Sequence, residues 1–93
     1  MYPRILKQIQ DLVRDEAYVL STHTENELEE DSFSDEDLEA AILNGAITQR
    51  ERDDIGRPKY VIEGTATDGR GLTTVVQLFR TRQLVLIITV YET

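Results

Sequence analysis

The last third of this 93-residue chain, KYVIEGTATDGRGLTTVVQLFRTRQLVLIITVYET from Lys59 to Thr93, constrains its fold more than any other part. Three runs rich in β-branched residues are separated by two short polar breaks, the pattern of consecutive antiparallel strands. The Asp68-Gly69 dipeptide marks the first break as a tight hairpin, because both positions tolerate positive φ. The final run, Leu84 to Tyr91, is apolar on both of its alternating faces. It therefore predicts cover on both sides, from helices or from a partner chain.

The rest of the chain supplies helices. Pro3 suits a first helical turn, where its missing N–H is not needed. From there Ile5, Leu6, Ile9, Leu12 and Val13 form one apolar stripe, which predicts a helix over residues 3–15. Tyr18 to Ser21 reads as a short extended piece. Thr22 to Asp31 reads as an acidic helix with a weak grip on the core, since Leu28 is its only large aliphatic residue. Ser34 opens a better helix, with acidic residues in its first turn and Gly45 placed to end it. Ala46 to Glu51 is expected as a first strand and Arg52 to Pro58 as a loop. Tyr60 to Thr67, Leu72 to Phe79 and Leu84 to Tyr91 follow as strands. The expected fold is a single α+β domain over residues 1–93, with N-terminal helices packed on a four-stranded antiparallel meander.

Charge divides the chain. Residues 11–54 hold 15 acidic and 3 basic side chains, a balance of −12, whereas residues 55–93 come to +2 within an overall charge of −8. Such a balance argues against non-specific nucleic-acid binding, although a local basic face can still hold a short RNA. The acidic half can equally be no more than a solvated surface. The absence of cysteine excludes a disulfide framework and a thiolate metal site, and a reducing cytoplasm is expected. No apolar run approaches the roughly 20 residues of a membrane helix, and the amino terminus lacks the apolar core of a signal peptide. No partner role for a membrane is expected.

The order of elements and their punctuating residues resemble a widespread bacterial and cyanobacterial family, a domain of unknown function. The residues that carry the likeness are Ser21, His23, Ser34, Asn44-Gly45, Tyr60, Gly64, Asp68-Gly69-Arg70 and Thr89-Val90-Tyr91, and the match spans roughly residues 18–91. Members of that family are often encoded beside a zinc-finger antitoxin of the MqsA type. The carboxy-terminal half also resembles the BrnT toxins of the RelE-like ribonuclease group. The resemblance implies a RelE-like fold and a toxin of a toxin–antitoxin pair, acting as a metal-independent endoribonuclease or descended from one. One departure bears on chemistry. The helix after Ser21 commonly carries arginines in the family, but here it reads ENELEED, which argues against phosphate binding there.

The catalytic candidates under that resemblance are His23, Arg70 and Tyr91. His23 is the one histidine, a residue type whose unperturbed side chain changes charge near neutrality and suits a general acid or base. Local hydrogen bonds or Glu25 and Glu27 can hold it instead. Arg70, with Lys59, Arg80 and Arg82, offers positive charge for a scissile phosphate. Alternating hairpins, however, put Arg70 at the opposite end of the sheet from Arg80 and Arg82. Tyr91 can serve as a phenolic acid or base, or simply as a half-buried core residue with its hydroxyl in water. Arg50 and Arg52 read first as charges that keep a sheet edge from pairing. The carboxylates show no ligand spacing, and neither a metal nor a cofactor is expected.

Two functions follow as expectations. One is the toxin-like ribonuclease or its inactive relative, with RNA as substrate. The other is a non-catalytic interaction module, whose acidic half and apolar final strand dock a basic protein such as an antitoxin segment, or a second copy in a homodimer.

Overall fold

A computed structural model describes residues 2–93 of the chain. Three helices, α1 (Pro3–Arg14), α2 (Thr22–Glu30) and α3 (Asp35–Asn44), accompany five strands, β1 (Tyr18–Leu20), β2 (Ala46–Arg52), β3 (Pro58–Thr65), β4 (Gly71–Phe79) and β5 (Leu84–Glu92). β2 to β5 form the expected antiparallel meander. The expectation of a four-stranded, wholly antiparallel sheet is nevertheless wrong. The sheet has five strands in the order β1-β5-β4-β3-β2, and β1 lies parallel to β5 with Val19 opposite Leu86. A three-residue strand is too short to display a period of two, so pattern alone leaves it an isolated extended piece.

The helices cover one face. Ile62, Leu72, Thr74, Val76, Val85, Ile87 and Val90 are fully buried, and the register places them all on that side. Ile9 and Val13 of α1, Leu28 of α2 and Leu38, Ala41 and Ile42 of α3 join them in the core. α3 sits close over β3 at Gly64, where an added Cβ would stand 2.0 Å from the Ala41 carbonyl oxygen. Only glycine permits that approach. The expected cover on both faces of β5 is not found. Among the described residues no helix lies on the second face, where Val19 and Tyr91 are exposed while Val61, Thr73, Val75 and Gln77 are buried. A bulge between Val75 and Val76 leaves Ile88 outside the ladder and re-phases β5, so Val90 joins Val85 and Ile87 on the buried side.

Both ends of α3 are closed by side chains. The Ser34 hydroxyl accepts from the Asp37 amide while Asp37 accepts from the Ser34 amide, a reciprocal capping box. Gln10 of α1 donates to the carbonyls of Ile42 and Leu43 at the far end of α3, at 3.1 and 3.2 Å. Asn44 donates to the Thr65 carbonyl and accepts from its amide, which fastens α3 to the end of β3.

α2 holds the sheet by a different means. Beyond β1 the outer edge of β5 has no strand beside it, and α2 supplies polar side chains instead. Ser21 and Thr24 donate to the carbonyls of Ile88 and Ile87, while Glu27 and Asp31 accept from the amides of Val90 and Glu92. Unpaired backbone groups at an edge invite pairing with other chains, and here side chains occupy them. This explains how a helix with one large aliphatic residue is anchored at all.

Candidate functional site

The expected catalytic residues do not converge. His23 stands near the start of α2, its side chain 70% exposed and its Nε2 3.3 Å from Glu27 Oε2. Glu27 is already occupied by the Thr89 hydroxyl and the Val90 amide. Arg70 lies at the other end of the helix. It donates to the carbonyls of Asp31 and Ser32 at 2.8 and 2.9 Å and to Asp68 at 2.8 Å. Eight residues separate His23 from Asp31, about 12 Å along a helix, so one phosphate cannot meet both side chains. Tyr91 is 46% exposed on the helix-free face, and no hydrogen bond joins it to His23 or Arg70 among the described residues.

Arg70 is engaged in architecture. Its guanidinium lies 4.1 Å from the centre of the Phe33 ring and takes up two carbonyls just past α2, where a helix leaves acceptors unsatisfied. Asp68 is held below the usual carboxylate range, first by the Arg70 amide and then by its guanidinium. Asp37 lies well below that range too, because the Ser34 amide and the Thr67 hydroxyl both donate to it. Ser21, Ser34, Asn44, Gly64 and Arg70 thus all have structural work, and the motif they form specifies a fold more than a reaction.

A different cluster is brought together at the opposite end of the sheet. The β2–β3 and β4–β5 turns lie side by side there, tied by Gln77, which donates to Asp53 at 3.0 Å. Those turns and the adjoining strand ends carry Arg50, Arg52, Arg57, Lys59, Arg80 and Arg82, six of the ten lysines and arginines in the chain. Among the described residues none of the six takes part in an ion pair. Three carboxylates stand among them. Asp53 is committed to the Arg57 amide, then to the Gln77 side chain and the Ile55 amide, which lower its pKa, while Glu51 accepts from Gln49 and Asp54 is exposed. Ile55, at the tip of the same turn, is 72% exposed.

Two grooves meet at this end. One, of about 490 Å³, lies between Arg50 and Arg80 and is floored by Ile5 and Tyr60. The second, of about 460 Å³, is flanked by Arg57 and Arg82. Pro58, Leu78 and Phe79 border both. Arg80 and Arg82 share a turn as expected, and Arg50 and Arg52, expected as charges that protect an edge, stand at the same end of the sheet. Counting hairpins one step further would have joined them, since the turns on either side of β3 and β4 alternate between ends.

The profile of a domain of unknown function, DUF4258, matches residues 20–92. The chain belongs to the DUF4258 family. The matched span holds all five strands except the first two residues of β1, and it leaves α1 outside. No curated protein and no solved structure matches this DUF4258 chain. Among the described residues, no three His, Asp or Glu side chains are grouped to hold a metal ion, and no helix is long and apolar enough to cross a membrane.

Proposed function

We propose that this protein is a toxin-type member of a toxin–antitoxin pair, akin to the RelE-like ribonucleases, and that it engages RNA through the basic end of its sheet. One observation carries the reading. Six cations without ion-pair partners are gathered at one end of a protein whose net charge is −8. Like charges held together repel, and among the described residues only the Arg52 side chain, which donates to the Gly56 carbonyl, is tied into the fold by a hydrogen bond. A phosphate backbone relieves that repulsion and gains affinity from released counterions. The acidic helical half disfavours RNA elsewhere and so orients it. Cleavage at such a surface needs no metal, because fixed cations stabilise negative charge developing at the scissile phosphate.

The test is incubation of a mixed-sequence RNA with the purified chain in EDTA. Cleavage should survive EDTA and the His23→Ala change, and should be lost in the Arg80→Ala/Arg82→Ala variant. Binding without cleavage would mark an inactive relative. Failure to bind at all would end the reading.

A second reading, docking of a basic antitoxin segment, is favoured by a separate groove of about 420 Å³. It carries Glu16, Asp35, Glu36 and Glu39 beside Tyr18 and Leu20. Tyr18 donates to Glu39, and burial with that neighbouring carboxylate raises its pKa, so the phenol stays protonated there. A lysine- or arginine-rich peptide would meet four carboxylates at once. Its capture should weaken steeply with salt and fail in Glu36→Lys.

A further inference from the structure

The sheet ends at β1, and the outer side of that strand is bare. The Val85 amide donates to the Ala17 carbonyl and the Ser21 amide to the Ile87 carbonyl, both at 3.1 Å. Backbone groups along a strand point to alternate sides, so Ala17, Val19 and Ser21 face β5. The N–H and C=O of Tyr18 and Leu20 then face away from the sheet. Among the described residues no backbone or side-chain group bonds to those four. Side chains of α2 occupy the edge of β5 beyond β1, but nothing does the same for β1 itself.

This edge differs from one face to the other. On the helix side Tyr18 and Leu20 line the groove of about 420 Å³ that carries Glu16, Asp35, Glu36 and Glu39. None of those carboxylates takes part in an ion pair among the described residues. On the opposite face Val19 is 45% exposed beside half-buried Leu86, its register partner. A strand laid along the edge projects its side chains to the two faces in turn. Those level with Tyr18 and Leu20 meet carboxylates, and the one between them meets Val19.

We infer that the outer edge of β1 receives an extended segment of a partner protein as an added strand, with lysine or arginine at alternate positions and an apolar residue between them. This rests on the basic-partner reading above and specifies how that partner is held. Main-chain bonds to Tyr18 and Leu20 supply affinity that is blind to sequence, while the carboxylates and Val19 select the segment. An acidic strand is repelled, and a uniformly basic one sets a charge against Val19. A second copy fits less well, because Arg50 and Arg52 on its own free edge, β2, have Glu51 between them.

The experiment titrates the whole protein with a short peptide of alternating lysine and valine, and with one of the same composition in two blocks, while amide exchange is followed residue by residue. The alternating peptide should bind at least about tenfold tighter. It should slow exchange at Tyr18 and Leu20 by about tenfold or more and leave Val19, already facing β5, unchanged. N-methylation of one alternate set of peptide amides should abolish this binding, and methylation of the other set should not, since only one set faces β1. Equal binding of both peptides with no protection of Tyr18 and Leu20 would overturn the added strand while basic docking stands. Binding of neither peptide would sink both. Concentration-dependent association of the protein alone, with the same two amides protected and lost in Arg50→Glu/Arg52→Glu, would assign the edge to a second copy and overturn the inference.

Discussion

Arg70 stacks on Phe33 with its guanidinium carbon 4.1 Å from the ring centre, and in that position it closes the carboxy-terminal end of α2. The pair ties the β3–β4 hairpin to the helix that protects β5. Arg70→Ala should cost about 2 kcal/mol, the range of hydrogen bonds involving a charged group, read as a lower urea midpoint. Arg70→Lys should recover little of it, because an ammonium cannot reach two carbonyls and a carboxylate in one plane. Full stability in Arg70→Ala would remove the clamp from this account.

The edge of β5 gives a local test. Glu27→Ala removes the acceptor of the Val90 amide and the Thr89 hydroxyl. Amide hydrogen exchange at Val90 should accelerate by at least about tenfold, while that at Val76 in the sheet centre should change far less. Uniform acceleration would mean that α2 holds the whole sheet and not only its edge.

Close packing of α3 on β3 predicts a steep response at one glycine. Gly64→Ala places a methyl group against the Ala41 carbonyl, and about 3 kcal/mol of destabilisation is expected from so tight an overlap. Ser34→Ala, which removes only the cap of the same helix, should cost about 1 kcal/mol, or roughly 4–8 °C in Tm.

Acid should weaken the fold in a defined direction. Asp37, Asp53 and Asp68 all have folded pKa values below the usual carboxylate range. Each contributes stability that is present above an unfolded pKa of about 3.9 and is lost as pH falls through the folded value. Thermal melts should therefore be flat near neutrality and fall below about pH 4. Asp37→Asn should start less stable at pH 7 and lose less on acidification. An unchanged pH profile in that variant would contradict the role given to Asp37.

The sequence made some of this visible and hid the rest for physical reasons. The α1 stripe from Ile5 to Val13 and the Ser34 cap are local signals, and each element lies where its signal put it. Asp68-Gly69 marks the right connection, but with Thr65 opposite Gly71 and only Gly69 at positive φ it is a five-residue loop and not a tight turn. The parallel pairing of Tyr18–Leu20 with Val85–Ile87 is non-local and leaves no mark in three residues. The uncovered face of β5 was misread because Ile88 lies in a bulge, and a bulge shifts the phase of alternation without changing composition. Arg70 looked chemical because an arginine beside a turn is free until its neighbours are known, and its partners, Asp31 and Ser32, are 38 or more residues away. The basic end was half visible. Its arginines are scattered over residues 50–82, and only the hairpin geometry gathers them.

The salt dependence of single-strand RNA binding tests the central claim most directly. Each phosphate neutralised contributes a slope of about −0.7 to log K against log salt on single strands. Wild-type protein should show a slope of about −3 or steeper, and Arg50→Gln/Arg80→Gln/Arg82→Gln should flatten it by about 2 while His23→Ala leaves it unchanged. A slope that survives the triple change, or that falls with His23→Ala instead, would contradict the assignment of RNA to the basic end of the sheet.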